Sequence, residues 1–317
     1  PDTGWPDAAP PRPLTRLFQT PHTRSRKGLI MTTAAPASPH PAASRTARSA
    51  SRRRIQGRQT ILHAIRSEWI KICSLRSTWV TSFLTVAITV LFSAGATIGF
   101  GRIEGYEDMA RYNITLGATF GQIVVAVLAA LVITGEYSSG QIRSSLAAVP
   151  HRGRLLWAKA LVTSVVAFLL GSLSIFLSWA ISAPFLGEHA GSLTDSHYLG
   201  FIWGTGLAYA GIALMTLGLG FLLRSTAGSI TVVTVLLFVI NLPLQIMAQQ
   251  WDWAAKIMGV LPNTVSTAVS DPFQLTQSWG SEAGQYFLEH SQAVLVFAAW
   301  AVVPLLIGWF VFAKRDA

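Results

Sequence analysis

The side chains between Ile133 and Leu161 are the ones in this chain whose types and spacing could do specific work. The stretch reads ITGEYSSGQIRSSLAAVPHRGRLLWAKAL and separates two long apolar runs. Ile142, Leu146 and Val149 recur at helical spacing, with Arg143 and the serines on the other faces, which predicts a short amphipathic helix. Pro150 should end it, because proline donates no backbone hydrogen bond and clashes with the preceding turn. Glu136, ahead of the helix, is an acid placed to cap and orient its start, where the dipole is positive. Arg143 carries a planar fork of donors that suits a carboxylate, or else a lipid headgroup. His151, Arg152 and Arg154 follow the proline before apolar sequence resumes at Leu155, Leu156 and Trp157. Such a helix lies flat at a membrane surface, docks in a partner's groove, or serves as an ordinary loop. The chemistry in view is ion pairing and docking.

Bond-making chemistry has no visible seat. No Gly-x-x-x-x-Gly-Lys-Ser/Thr loop or Leu-Ser-Gly-Gly signature occurs, so the usual cradle for ATP phosphates is missing. The apolar runs hold no Asp, Glu or His, one of which a proton- or sodium-coupled carrier commonly needs at membrane depth. The seven histidines are scattered without metal-ligand spacing, and an intramembrane zinc enzyme would need them clustered. Cys73 is the single cysteine, so no internal disulfide can form. The expectation is a chain with no catalytic residues, no directly bound cofactor and no metal.

The elements that must position these residues are membrane spans. Of the 317 residues 51% are hydrophobic and 12% charged, with mean hydropathy +0.46. A soluble domain carries about 25% charged residues. Six apolar runs follow one another at Trp79–Phe100, Ile114–Thr134, Leu156–Ile181, Leu199–Leu223, Ser229–Ala248 and Ala293–Phe312. Each is long enough, at 1.5 Å per residue, to cross about 30 Å of hydrocarbon as a helix, and helices alone leave no backbone group unpaired there. The expected fold is an all-α membrane protein with six transmembrane helices. Lysine and arginine set its orientation. With both termini cytoplasmic, only Arg102, Arg111 and Lys256 fall outside, while most acids do. The net charge of +10 is therefore a matter of position, and no nucleic-acid partner is expected.

Residues 1–59 are rich in Pro, Ala, Ser, Thr and Arg and bury too little to fold alone. They read as a disordered basic tail, solvated or bound to DNA or lipid, and Met31 is the expected true start. Residues 60–317 form the transmembrane domain. Its first segment, Thr60–Ser77, places Ile61, Ile65, Trp69 and Ile72 on one face with Arg66, Glu68, Lys71 and Arg76 on the flanks, as in a helix lying in the membrane interface and anchored by Trp69. The glycine pairs Gly95/Gly99 and Gly117/Gly121, with Gly204/Ala208, allow close helix approach within a subunit or at a dimer seam. The fifth run contains Asn241, Pro243 and Gln245. Pro243 should kink it, and the two amides either line a transport path or bond between helices. The long segment Gln249–Gln292 should hold short helices dipping into the outer leaflet, carrying Trp251, Trp253, Ile257, Met258, Val260 and Leu261.

The stretch around Gly135, Glu136, Gln141, Ile142, Arg143, Pro150, Arg152 and Lys159 resembles the loop after the second span of type-2 ATP-binding-cassette (ABC) permeases of high-GC bacteria. Glu68 and Lys71 are similar to a Glu-x-x-Lys step in that family's connecting helix. The resemblance implies an interfacial connecting helix around Glu68, Trp69 and Lys71, and a cytoplasmic coupling helix between spans 2 and 3. It also implies a re-entrant outer segment between spans 5 and 6. Glu136, Gln141, Ile142, Arg143, Leu146, Pro150, Arg152 and Lys159 would couple to the ATPase. ATP and Mg would sit on a separate ATP-binding subunit, with a second permease subunit, the same or different, completing an exporter in the bacterial plasma membrane. The alternative is a membrane anchor or sensor that recruits a soluble partner without transporting. The orientation has a direct test. In a Cys73→Ser background, Asp195→Cys should react with an impermeant maleimide in intact cells, and Arg152→Cys only after permeabilisation. Labelling of Arg152→Cys in intact cells would overturn the assignment of sides.

Overall fold

The computed structural model describes residues 60–149, 151–273 and 288–314, and every regular element among them is helical. The tail read over 1–59 and Pro150 lie outside the described residues. Helix α1 (Ile61–Ser74) meets α2 (Arg76–Phe100) at Leu75, whose extended backbone separates them. A short α3 (Glu107–Ala110) and a 3-10 turn (Arg111–Thr115) lead into α4 (Ala118–Ser138). Gly140, at φ 70°, reverses the chain into α5 (Gln141–Ala148). Glycine takes that left-handed conformation without a Cβ penalty. Next come α6 (Arg152–Leu186) and α7 (Ser196–Leu223), the latter capped by Asp195, whose side chain accepts from the His197 N–H. The fifth hydrophobic segment is built from α8 (Thr226–Thr234), a π-helical turn (Val235–Val239) and α9 (Asn241–Ala248). Two short helices, α10 (Asp252–Val260) and α11 (Pro262–Ser270), precede α12 (His290–Lys314).

Six of these segments are long and apolar enough to cross a membrane: Arg76–Phe100, Arg111–Ser138, Arg152–Ala190, Ser196–Leu223, Thr226–Ala248 and His290–Lys314. The chain is thus built as a multi-pass membrane protein. Helix α6 runs about one turn past the apolar limits Leu156–Ile181 at each end, through the basic turn 152–155 and through 182–186. Helix α7 is the hub and packs on α4, α6, α11 and α12. It buries 67% of its most apolar window, against 17% for Thr226–Ala248, which lies at the edge.

Helix α2 is inside out by the standards of water. Thr78, Thr81, Thr85, Thr89, Ser93 and Thr97 recur every three or four residues and are all buried, while Phe83, Leu84, Leu91 and Phe92 face outward. In lipid this is the stable arrangement. Threonine hydroxyls satisfy themselves on carbonyls four residues back, as from Thr85 to Thr81 O (2.8 Å) and from Thr89 to Thr85 O (2.7 Å). The compact stripe then lets neighbours approach. Thr89 Oγ1 also shares a 2.6 Å hydrogen bond with the Tyr209 hydroxyl, joining α2 to the hub.

The glycine pairs divide. A Cβ on Gly121 would lie 2.0 Å from both Thr89 Oγ1 and the Tyr209 hydroxyl, and one on Gly204 would meet the Val269 carbonyl at 2.5 Å. These pack within the subunit. Gly95 and Gly99 face open space. Gly121→Ala should therefore cost about 1–3 kcal/mol by overpacking, seen as a lower thermal midpoint in detergent, whereas Gly95→Ala should not lower it. Equal midpoints for the two variants would contradict this packing.

Candidate functional site

Four charges from three helices meet at one end of the bundle. Glu68 and Lys71 lie one turn apart on α1, Glu136 sits near the end of α4, and Lys159 is two turns into α6. Lys159 Nζ donates to Glu68 Oε2 at 2.5 Å and to Glu136 Oε1 at 2.9 Å. Lys71 Nζ donates to Glu68 Oε1 at 2.6 Å, to Glu136 Oε1 at 3.0 Å and to Ser145 Oγ of α5 at 2.9 Å. The two acids and two lysines balance, and Ser145 hangs the short helix α5 on the same knot.

Burial makes the knot consequential. Glu68 and Lys159 are each 1% exposed and Glu136 5%. An ion buried without its partner costs several kcal/mol, so each charge holds its neighbours in place. Lys71 is less enclosed. Burial alone would lower its pKa, but the hydrogen bond and charge of Glu68, followed by Glu136, outweigh that and hold it above its ordinary 10.5. The stability Lys71 contributes is complete below the unfolded-state pKa and is lost only as pH rises through the raised value.

Three expectations change here. Glu68 is the centre of the inward face of α1, between Ala64 and Ile72, and not on a flank; pairing with Lys159 makes its burial tolerable. Of the apolar face, Ile72 is buried with it, while Trp69 and Ile61 are exposed, as an interface anchor would be. Glu136 does not cap α5. It belongs to α4, and Gly140 provides the N-cap, because two lysines claim the carboxylate. Ile142 is 3% exposed and packs with Ile72, Leu155 and Leu156, with Leu146 and Val149 against the same cluster. The apolar face of α5 thus covers its own chain, and the exposed residues are Gln141, Arg143, Ser144, Ala147 and Ala148.

Arg152 Nη1 donates to the Phe312 carbonyl at 2.8 Å, and its guanidinium lies 5.7 Å from the Phe312 ring centre. It closes the end of α12, where a cation favours the negative dipole end. The Asn241 amide donates within its own helix, to Leu237 O at 2.9 Å and Leu236 O at 3.4 Å, and so does not bond between helices. Pro243 is exposed and Gln245 half-buried. Between α1 and α5 opens a cleft of about 180 Å³ lined by Ala64, Ser67, Gln141, Ser144 and Ala148, with Lys71 and Glu68 at its floor. Among the described residues no three His, Cys, Asp or Glu side chains gather as a metal site would need.

Sequence reasoning missed Ser145, which carries no charge and stands among other serines, and the convergence of the four charges. A signal was present: two acids and two lysines at the same edge of otherwise apolar sequence must find one another or face lipid unpaired. No protein-family profile matches this chain, and no curated protein matches it.

Lys159→Met should destabilise the protein by about 3–5 kcal/mol by leaving two buried carboxylates to share Lys71 alone. Combining it with Glu68→Gln should recover part of that loss, because fewer uncompensated charges remain. Thermal unfolding in detergent compares the three variants, and strict additivity would mean that the pair does not interact.

Proposed function

We propose that this chain is the membrane-spanning permease subunit of an ATP-driven type-2 ABC exporter, working with a separate ATP-binding subunit. The observation that carries the reading is the convergence on one buried knot of Glu68, Lys71, Glu136 and Lys159, all residues on which the resemblance to that family rests. They come from three stretches well separated in sequence, around Glu68, Glu136 and Lys159, and a merely compositional likeness would not bring those stretches together.

On this reading α1 is the connecting helix, α5 the coupling helix, and α10 and α11 the outer re-entrant pair. Two permease subunits sit on two ATPase subunits in a bacterial plasma membrane, with both termini cytoplasmic as the lysine and arginine distribution requires. ATP and Mg bind the ATPase subunits and close them on each other. The exposed side of α5 and the cleft beside α1 receive the ATPase surface. Arg143, which has no partner among the described residues, offers its fork to a carboxylate there. Because Ser145 and Lys71 tie α5 to α1, α4 and α6, a push on α5 moves the ends of all three helices together. That shared motion opens a path between the two permease subunits. Asn241, Pro243 and Gln245 lie on the edge segment facing that path.

Arg143→Ala tests the reading without disturbing the buried core. Detergent pull-down of an ATP-binding subunit, sought among the neighbouring genes, should weaken by about 2–4 kcal/mol if Arg143 pairs with a buried carboxylate, with ATP-driven transport in vesicles lost in parallel. A change within about 0.5 kcal/mol is the signature of a solvent or headgroup contact and would remove α5 as the coupling element. Absence of any captured ATPase by the wild type would favour the anchor or sensor.

A further inference from the structure

The fifth hydrophobic segment changes company halfway along. Val233 and Leu237 pack with Val265, Ala268 and Phe297 in the main body. Three residues later Ile240 has left that cluster. With Leu244 and Met247 it packs against Ala254, Met258 and Leu261 instead. The chain then rejoins the body, for Leu261 belongs to the small cluster and Val265 to the large one. Residues Ile240–Leu261 are therefore a helical hairpin, α9 against α10, with an apolar centre of its own.

Both ends of this hairpin are joints. At the first, the Ile240 N–H reaches five residues back, to Val235 O at 3.0 Å, which is the π-turn. Pro243 then has no N–H for the Val239 carbonyl. Beside it the Asn241 side chain donates to two carbonyls of the π-turn itself, Leu237 O and Leu236 O. A π-turn followed by proline is where helices bend, and a side-chain amide can release a carbonyl without unwinding a turn. At the second joint Leu261 is extended, with φ −69° and ψ 150°, and Pro262 starts α11. Beyond it α11 is fixed: Gly204 admits its Val269 and Ser270 carbonyls, and His290 Nδ1 pairs with Ala268 O at 3.1 Å. The Trp300 indole N–H donates to Val260 O at 2.9 Å, at the seam between hairpin and body. Alternation of the spans puts this hairpin at the end of the bundle opposite the charge knot.

We propose that Ile240–Leu261 is a hinged flap, bending at the π-turn and at the Leu261–Pro262 junction, which opens and closes the bundle at that end. Asn241 is its positioning residue, holding the closed form through the two carbonyls. The inference rests on the packing and hydrogen bonding of the segment, and stands or falls separately from the ATPase reading.

The test is a pair of spin labels, Gln250→Cys on the flap and Ser196→Cys at the start of α7, in full-length Cys73→Ser protein in lipid nanodiscs. Electron–electron distance measurement should give two populations. Asn241→Leu, which removes the amide, should raise the open fraction at least about twofold, and Pro243→Ala, which restores an N–H for Val239 O, should lower it by a similar factor. A body pair, Ser196→Cys with Thr264→Cys, should keep one distance throughout. A single flap distance in the wild type overturns the proposal, and that measurement decides the matter should either variant fail to fold. Two populations that neither substitution shifts would equally remove these residues as the hinge.

Discussion

A lysine ammonium buried among carboxylates is the constraint on which one end of this protein depends. Lys159 can be 1% exposed only because Glu68 and Glu136 both reach it, and Glu68 can be buried only because Lys159 is there. Neither could be enclosed alone, since the unpaired ion would cost more than most single interactions return. The helix registers at this end therefore agree to within hydrogen-bond distance. Helix α1 must present Glu68 inward, α4 must run far enough to deliver Glu136, and α6 must start early enough to place Lys159 at the same depth. Hydrophobic packing sets which helices touch, but its lack of direction leaves their axial positions loosely defined. The knot removes that freedom.

The rest of the bundle uses a weaker but more widespread device. Small residues let helices close on each other, and hydroxyls spend their donors on their own helix. The inward threonine stripe of α2, with Gly117 and Gly121 facing it, is the clearest case. Stiffness is unevenly distributed as a result. Helix α7 is held on several sides, whereas Thr226–Ala248 is mostly uncovered and contains the π-turn.

The number and approximate limits of the apolar helices could be read from the sequence, because span length is set by a fixed thickness of hydrocarbon. So could the short helix around Ile142, from its spacing. What could not be read was direction. In the Thr60–Ser77 helix Glu68 read as a flanking residue, but once paired it takes the inward position beside Ile72, while Ile61 and Trp69 are exposed. The inward hydroxyls of α2 were hidden in the same way. Long-range pairing was also illegible. Arg152 and Phe312, or Lys71 and Ser145, leave no local pattern, since nothing in either neighbourhood depends on the other until the chain has folded. The choice between helices for the Asn241 amide was illegible for a different reason, as its donors go to carbonyls of the π-turn in its own segment, a local irregularity that the apolar spacing does not announce.

The knot also imposes an order on biosynthesis. Glu68 and Lys159 are 91 residues apart, so the acid leaves the ribosome long before its deepest partner exists. Lys71, one turn away, can shield Glu68 at the membrane surface in the meantime, and α1 can wait there without crossing. Glu136 arrives with the second span and brings the assembly one negative charge too many. Only when the start of α6 emerges is the charge balanced and burial permitted. Closure of this end is thereby timed to the third span, and a nascent chain cut short before Lys159 would display an incomplete, negatively charged cluster.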